Sequence, residues 1–251
     1  MKPLLIALGL SLITLSARAE LPTHEFQLDN GLDVLVREDH RAPVITVMVW
    51  FKAGSIDEAP YETGLAHVLE HMMFKGSKRL DAGEFSRTVA RFGGSDNAFT
   101  SYDFTAYFQQ YEASRLPLAL ELEAERLKNL KIDDESFRRE LQVVMEERRQ
   151  RTDDKPTALA WEKFQAVARP GTGYAHPIIG WRDQLAQLQP RQARDWYDRF
   201  YVPGNATLVI AVDVTLEQVR PLVEKFFADL PRGETPPRPE TTLNPPPGER
   251  R

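Results

Sequence analysis

Two of the chain's five histidines stand four residues apart in Gly64-Leu-Ala-His-Val-Leu-Glu-His-Met-Met-Phe74, with a glutamate between them. On a helix turning about 100° per residue, His71 falls about 40° from His67 and Glu70 about 60° to the other side. All three then share one face, and imidazoles at i and i+4 can bind the same zinc ion. Leu65, Val68, Leu69 and Met72 surround them with apolar bulk, so the helix is expected to be buried. A buried carboxylate and two imidazoles without partners are costly, and a divalent cation satisfies them directly. The same five residues also fit a core helix whose histidines bond to nearby backbone. The metal reading therefore needs a third ligand from elsewhere.

Residues 134–151 (DESFRRELQVVMEERRQR) supply a candidate. On a helical wheel Phe137, Leu141, Val144 and Met145 make an apolar face. Glu140 and Glu147 run along one edge of it, two turns apart, and Glu146 points to about the opposite side. Glu147 is thus expected to face inward and Glu146 to be solvated. The pattern alone equally fits two exposed, salt-bridging glutamates.

These helices need a frame. Residues 24–28 and 32–36 alternate around Asp29-Asn30-Gly31, which reads as a β-hairpin. Residues 44–51 (VITVMVWF) read as a buried strand. The histidine helix follows from about Gly64, and a second helix over 81–92 stops at Gly93-Gly94. Strands over 97–100 and 104–109 reverse near Ser101-Tyr102-Asp103. Leu116, Leu120, Leu127 and Leu130 mark a helix over 112–130. Further helices are expected over 134–151, 156–168, with proline in its first turn, and 189–200. A strand over 207–214 precedes a helix begun by Thr215, with Gln218 completing a capping box. Paired strands early, helices later and one closing βα unit indicate an α+β fold, a mainly antiparallel sheet packed by helices.

The 251 residues, 42% hydrophobic and 27% charged, have ordinary globular composition. A net charge of −5 without a dominant basic run argues against nucleic acid as a partner. Residues 1–19 read as a signal peptide: Lys2, an apolar run from Leu4 to Leu15, then Ala17-Arg-Ala19 as the cleavage site. The mature chain would start at Glu20, without a membrane anchor. That places it outside the cytoplasm, in a bacterial periplasm. The chain has no cysteine, so no disulfide supports it. Residues 20–231 read as one domain. Residues 232–251, rich in proline and charge, read as a linker toward a missing second domain.

The set as a whole resembles the pitrilysin/insulinase family of zinc metallopeptidases, which includes the mitochondrial processing peptidase. His-x-x-Glu-His is the inverted zinc motif of that family. The resemblance also rests on Gly64-Leu65-Ala66, Phe74-Lys-Gly76, Asn97-Ala98-Phe99-Thr100, and Tyr174-Ala-His176-Pro177 with Gly180. It implies one zinc ion per chain held by His67, His71 and Glu147, with Glu140 supporting a ligand from behind. It implies that Glu70 activates zinc-bound water and returns the proton to the leaving amine. It implies that Asn97, Ala98, Phe99 and Thr100 form an edge strand on which an extended peptide substrate pairs. The strand Ile210-Ala211-Val212-Asp213 departs from the family, which usually has glycine before the aspartate.

His176 is expected to be structural, and His24 and His40 to lie at the surface. Family members usually carry a second domain that closes the site, or work as pairs of unlike subunits. Two rivals remain: a non-catalytic or partner-dependent subunit, and a zinc hydrolase acting on something other than peptide.

Overall fold

A computed structural model describes residues 21–238. The signal-peptide reading of residues 1–19, and residues 239–251 of the proposed linker, lie outside them. Among the described residues six strands form one sheet in the order β1-β2-β6-β3-β5-β4. They are β1 (Thr23–Gln27), β2 (Asp33–Glu38), β3 (Val44–Phe51), β4 (Ser95–Thr100), β5 (Thr105–Glu112) and β6 (Ala206–Val212). Only the β2–β6 pair is parallel, so the sheet is mainly antiparallel, as expected.

Alternation in the sequence sets the two faces of the sheet. Ile45, Val47, Val49 and Phe51 of β3 are buried in turn, as are Ala206, Leu208, Ile210 and Val212 of β6. β-branched side chains suit that pleated, half-buried surface. The helices are α1 (Leu65–Met72), α2 (Glu84–Arg91), α3 (Leu116–Asn129), α4 (Asp134–Arg148), α5 (Pro156–Ala168), α6 (Arg182–Leu185), α7 (Pro190–Phe200) and α8 (Leu216–Phe227). α3 packs on β3 and β5, α8 on β2, and α1 lies against α4 and α7.

Three helix boundaries differ from the sequence reading by three residues or more. α2 starts at Glu84, because Gly83 adopts a left-handed φ of 71° as its N-cap. α3 starts at Leu116, after a tight turn at Ala113–Arg115. α4 ends at Arg148, and Arg149–Asp153 widen into one turn of π-helix. The short α6 carries too little periodicity to be read from sequence. Residues 232–238 lie along the domain: Gly204 N donates to Arg232 O at 3.0 Å, and Arg238 pairs with Asp57 at 3.3 Å.

Two buried groups hold the start of α1 and the end of α4 in place. The first is Glu58, whose side chain is wholly buried. It accepts from Gly64 N at 3.0 Å and Ala66 N at 2.9 Å, satisfying amides that the first turn of α1 leaves open. Burial pushes its carboxyl well above the usual range, against the two amide bonds. The second is Arg148, 3% exposed. It donates to Gly180 O at 2.6 Å and to both oxygens of Glu162 on α5 at 2.9 Å.

Gly180 in turn abuts the start of α1. A Cβ there would lie 2.3 Å from Thr63 O, and one on Gly64 would lie 2.6 Å from Ile179 O. Only glycine lets these two backbones touch. Glu58→Ala leaves two buried amides without acceptors and should lower unfolding free energy by about 2 kcal/mol. Urea denaturation checks this; a loss below about 0.5 kcal/mol, the ordinary surface range, would contradict it.

Candidate metal and proton-transfer site

α1 is apolar on nearly every side: Leu65, Ala66, Val68, Leu69 and Met72 are buried with His67. His67 and His71 sit one turn apart, ring centroids 4.8 Å from each other. α4 crosses α1 and brings Glu147 to the same place. Glu147 Oε2 lies 3.4 Å from His71 Nε2, and Oε1 lies 3.8 Å from His67 Nε2. One donor atom from each residue lies within 4.8 Å of the others. A tetrahedral ion with bonds of about 2.0–2.1 Å holds its donors about 3.4 Å apart. The spacing and the nitrogen and oxygen donor set fit zinc.

The groups behind this triad orient it. His71 Nδ1 is 2.9 Å from Glu140 Oε1, which leaves Nε2 facing Glu147. Glu140 also pairs with Lys75 Nζ at 2.7 Å. Carboxylate partners of this kind fix a ring's tautomer and orientation. His67 Nδ1 is buried and finds no hydrogen-bond partner among the described residues.

The two imidazoles are driven apart electrically. Burial first, then repulsion by His71, holds His67 down to about 4. Burial also opposes charge on His71, but hydrogen bonds to Glu140 and Glu147 outweigh it and raise the ring to about 9. Glu140 stays below the usual carboxylate range: burial opposes this, but His71 and Lys75 prevail. Glu147 is lowered chiefly by its bond with His71.

Glu70 stands outside the donor triad. Its Oε2 accepts from Thr100 Oγ1 at 2.5 Å. Burial raises its carboxyl above the usual range, with the Thr100 hydroxyl pulling the other way. A carboxyl raised above its usual range and held by Thr100 suits proton transfer.

A cavity of about 600 Å³ opens over these groups. His67, Glu70, His71 and Glu147 line it together with Asn97–Thr100, Arg151, Thr152, Ile178 and Ile179. The Asn97–Thr100 stretch belongs to β4, which pairs only with β5 among the described strands. Its side chains divide between the two faces. Thr100 reaches Glu70, whereas Phe99 stacks edge-on against Trp50 with centroids 5.6 Å apart. Asn97 Oδ1 accepts from Ala98 N at 2.9 Å.

Glu146 is half-exposed and pairs with Arg149 at 2.6 Å, away from the triad. His40 is exposed, and His24 lies at the rim, 3.1 Å from Glu38. His176 lies 3.7 Å from the buried Glu58, far from the metal triad in role. Sequence reasoning missed Glu58, Arg148 and Arg151. Arg151 carried a signal, since it stands one helical turn after Glu147. The other two carried none, because their partners are distant in the chain.

The profile of the insulinase family (peptidase family M16) matches residues 33–181, and that of the family's inactive domain matches residues 187–251. The zinc protease PqqE of Helicobacter pylori is 38% identical over 229 residues, 90% of this chain and 51% of that protein. A mitochondrial-processing peptidase subunit beta from Lentinula edodes is 30% identical, over 83% of this chain and 45% of its own length. The crystal structure of a protease from Helicobacter pylori superposes with a TM-score of 0.84 at 35% identity, covering 88% of this chain and 54% of that one. The chain therefore spans about half the length of the relatives it matches. The chain belongs to the insulinase family of peptidases.

Proposed function

We propose that this chain is an exported zinc-dependent endopeptidase that cleaves extended peptides. One observation carries the reading: His67, His71 and Glu147 converge while Glu70, on the same helix face, stays outside the triad beside an edge strand. The family's zinc proteases support it. In this reading residues 20–231 form the catalytic domain, residues 1–19 a cleaved signal and residues 232–251 a linker. A fold neighbour described as the periplasmic protease PqqL of Escherichia coli, TM-score 0.80 at 24% identity, has the same architecture. No described helix is long and apolar enough to cross a membrane.

His67, His71 and Glu147 would hold one zinc ion, which when bound supplies Lewis acidity toward water and a substrate carbonyl. Glu140 holds His71 in the tautomer that presents Nε2. Substrate backbone pairs with the free edge of β4 along Asn97, Ala98, Phe99 and Thr100, which sets the scissile carbonyl beside Glu70. Glu70 accepts the proton of the attacking water. It then delivers that proton to the amine nitrogen as the peptide C–N bond breaks. Thr100 keeps the carboxylate aimed during both transfers.

A second reading is a partner-dependent or non-catalytic subunit. It is favoured by the inactive-domain match at residues 187–251 and by a relative, cytochrome b-c1 complex subunit 1 of Bos taurus, 29% identical over 83% of this chain. A second homologous domain or subunit then closes over the cavity. Zinc with cleavage by this chain alone excludes that reading; zinc without cleavage, restored by a partner, selects it.

Glu70→Gln should retain zinc near one per chain and lose peptide cleavage by about 10³-fold or more, the scale of a general acid–base group. Zinc analysis and a peptide assay on the same sample check both halves. Glu147→Gln should lose zinc, while Glu146→Gln keeps it; the reverse pattern would place the wrong glutamate in the site. Below about 9, zinc must displace a proton from His71, while His67 is already neutral above about 4. Apparent zinc affinity should therefore fall about tenfold per unit as pH drops from about 8 to 5. Chelator competition reads this slope, and a flat profile would contradict it.

A further inference from the structure

Among the described residues, Arg151 is the one lysine or arginine lining the cavity over the histidines. It follows Glu147 by four residues and extends from the π-turn that succeeds α4. That turn is anchored from below, because Arg148 pairs with Asp153 at 3.3 Å as well as with Glu162 and Gly180. Arg151 is therefore carried by a fixed stretch of backbone. Its Nη1 lies 2.6 Å from Glu147 Oε1, and its side chain is 72% exposed. The charge of Arg151 helps to hold the Glu147 carboxyl below its usual range. Nη1 is thus taken by Glu147, while Nε and Nη2 have no partner among the described residues and remain for a ligand in the cavity.

The carboxylates on the cavity wall, Glu70 and Glu147, oppose any acidic group that enters. Arg151 is the counterweight. A guanidinium matches a carboxylate with two parallel N–H···O bonds, a geometry that an ammonium cannot copy. Ile178 and Ile179, which line the same cavity, give an apolar wall for the stem of a glutamate side chain. At about 3.3 Å per residue, a cavity of this size spans about two or three residues of an extended peptide.

We propose that Arg151 is a specificity-determining residue that selects peptides carrying an acidic side chain within about two residues of the scissile bond. The inference rests on the peptidase reading for its substrate.

The test uses matched peptides with Glu, Gln or Lys at each position flanking the cleavage site. The readout is the ratio of kcat/KM for the Glu and Gln peptides within each protein, which cancels differences in zinc loading. The zinc-loaded 251-residue chain should favour Glu by about fivefold at one position, the scale of a partly exposed ion pair. Arg151→Gln should bring that ratio to about one, and Arg151→Glu should turn the preference to Lys, the opposite charge. Binding of the same peptides to the Glu70→Gln chain, followed by fluorescence anisotropy, reads the preference without turnover. Preferential binding of Glu peptides with no cleavage by the parent chain would remove the reading of this chain as a peptidase on its own and keep the role of Arg151. Equal binding of Glu and Gln peptides, or a preference unchanged by Arg151→Gln, would overturn it.

Discussion

Everything in this molecule turns on placing three polar side chains inside an otherwise apolar helix. α1 is buried along most of its surface, yet His67, Glu70 and His71 occupy one of its faces. Without partners they would cost several kcal/mol each. Their partners come from far along the chain: Glu140 and Glu147 from α4, and Thr100 from the end of β4. The spacing of α1 and α4 is thus a chemical requirement as well as a packing one.

That spacing is set by groups which touch no site atom. Glu58 satisfies the first turn of α1, and Arg148 joins the end of α4 to Gly180. Gly180 and Gly64 then meet backbone to backbone, a contact closer than any side chain allows. The buried charge of Arg148 is neutralised bidentately by Glu162, so the joint is directional as well as tight. A rigid frame of this kind matters because proton transfer depends on heavy-atom distances within a few tenths of an ångström.

The local periodicities were legible in the sequence. The strands β3 and β6 and the capping of α8 by Thr215 with Gln218 followed from residue type alone, whereas the alternating burial along β3 did not, since its run reads as buried throughout. So did the turn of Glu147 toward α1 and of Glu146 toward solvent, since a helical wheel decides between neighbours. Strand order was not legible, because period and propensity say nothing about which strands meet. The roles of Glu58 and Arg148 were hidden for the same reason: a glutamate in a loop and an arginine in a charged helix look solvated until their distant partners are known. The π-turn after α4 was read as continuing helix, since its charged residues suit either backbone.

The position of β6 has a consequence for how the chain acquires this shape. β6 lies between β2 and β3, pairing with both, although it is the last of the described strands to be made. The β1–β2 hairpin therefore has no neighbour on its inner edge until about residue 212 exists. The first half of the chain cannot close its sheet as it emerges, and two strand edges stay open meanwhile. Such late, long-range pairing slows folding and leaves nascent chain vulnerable to association with other strands.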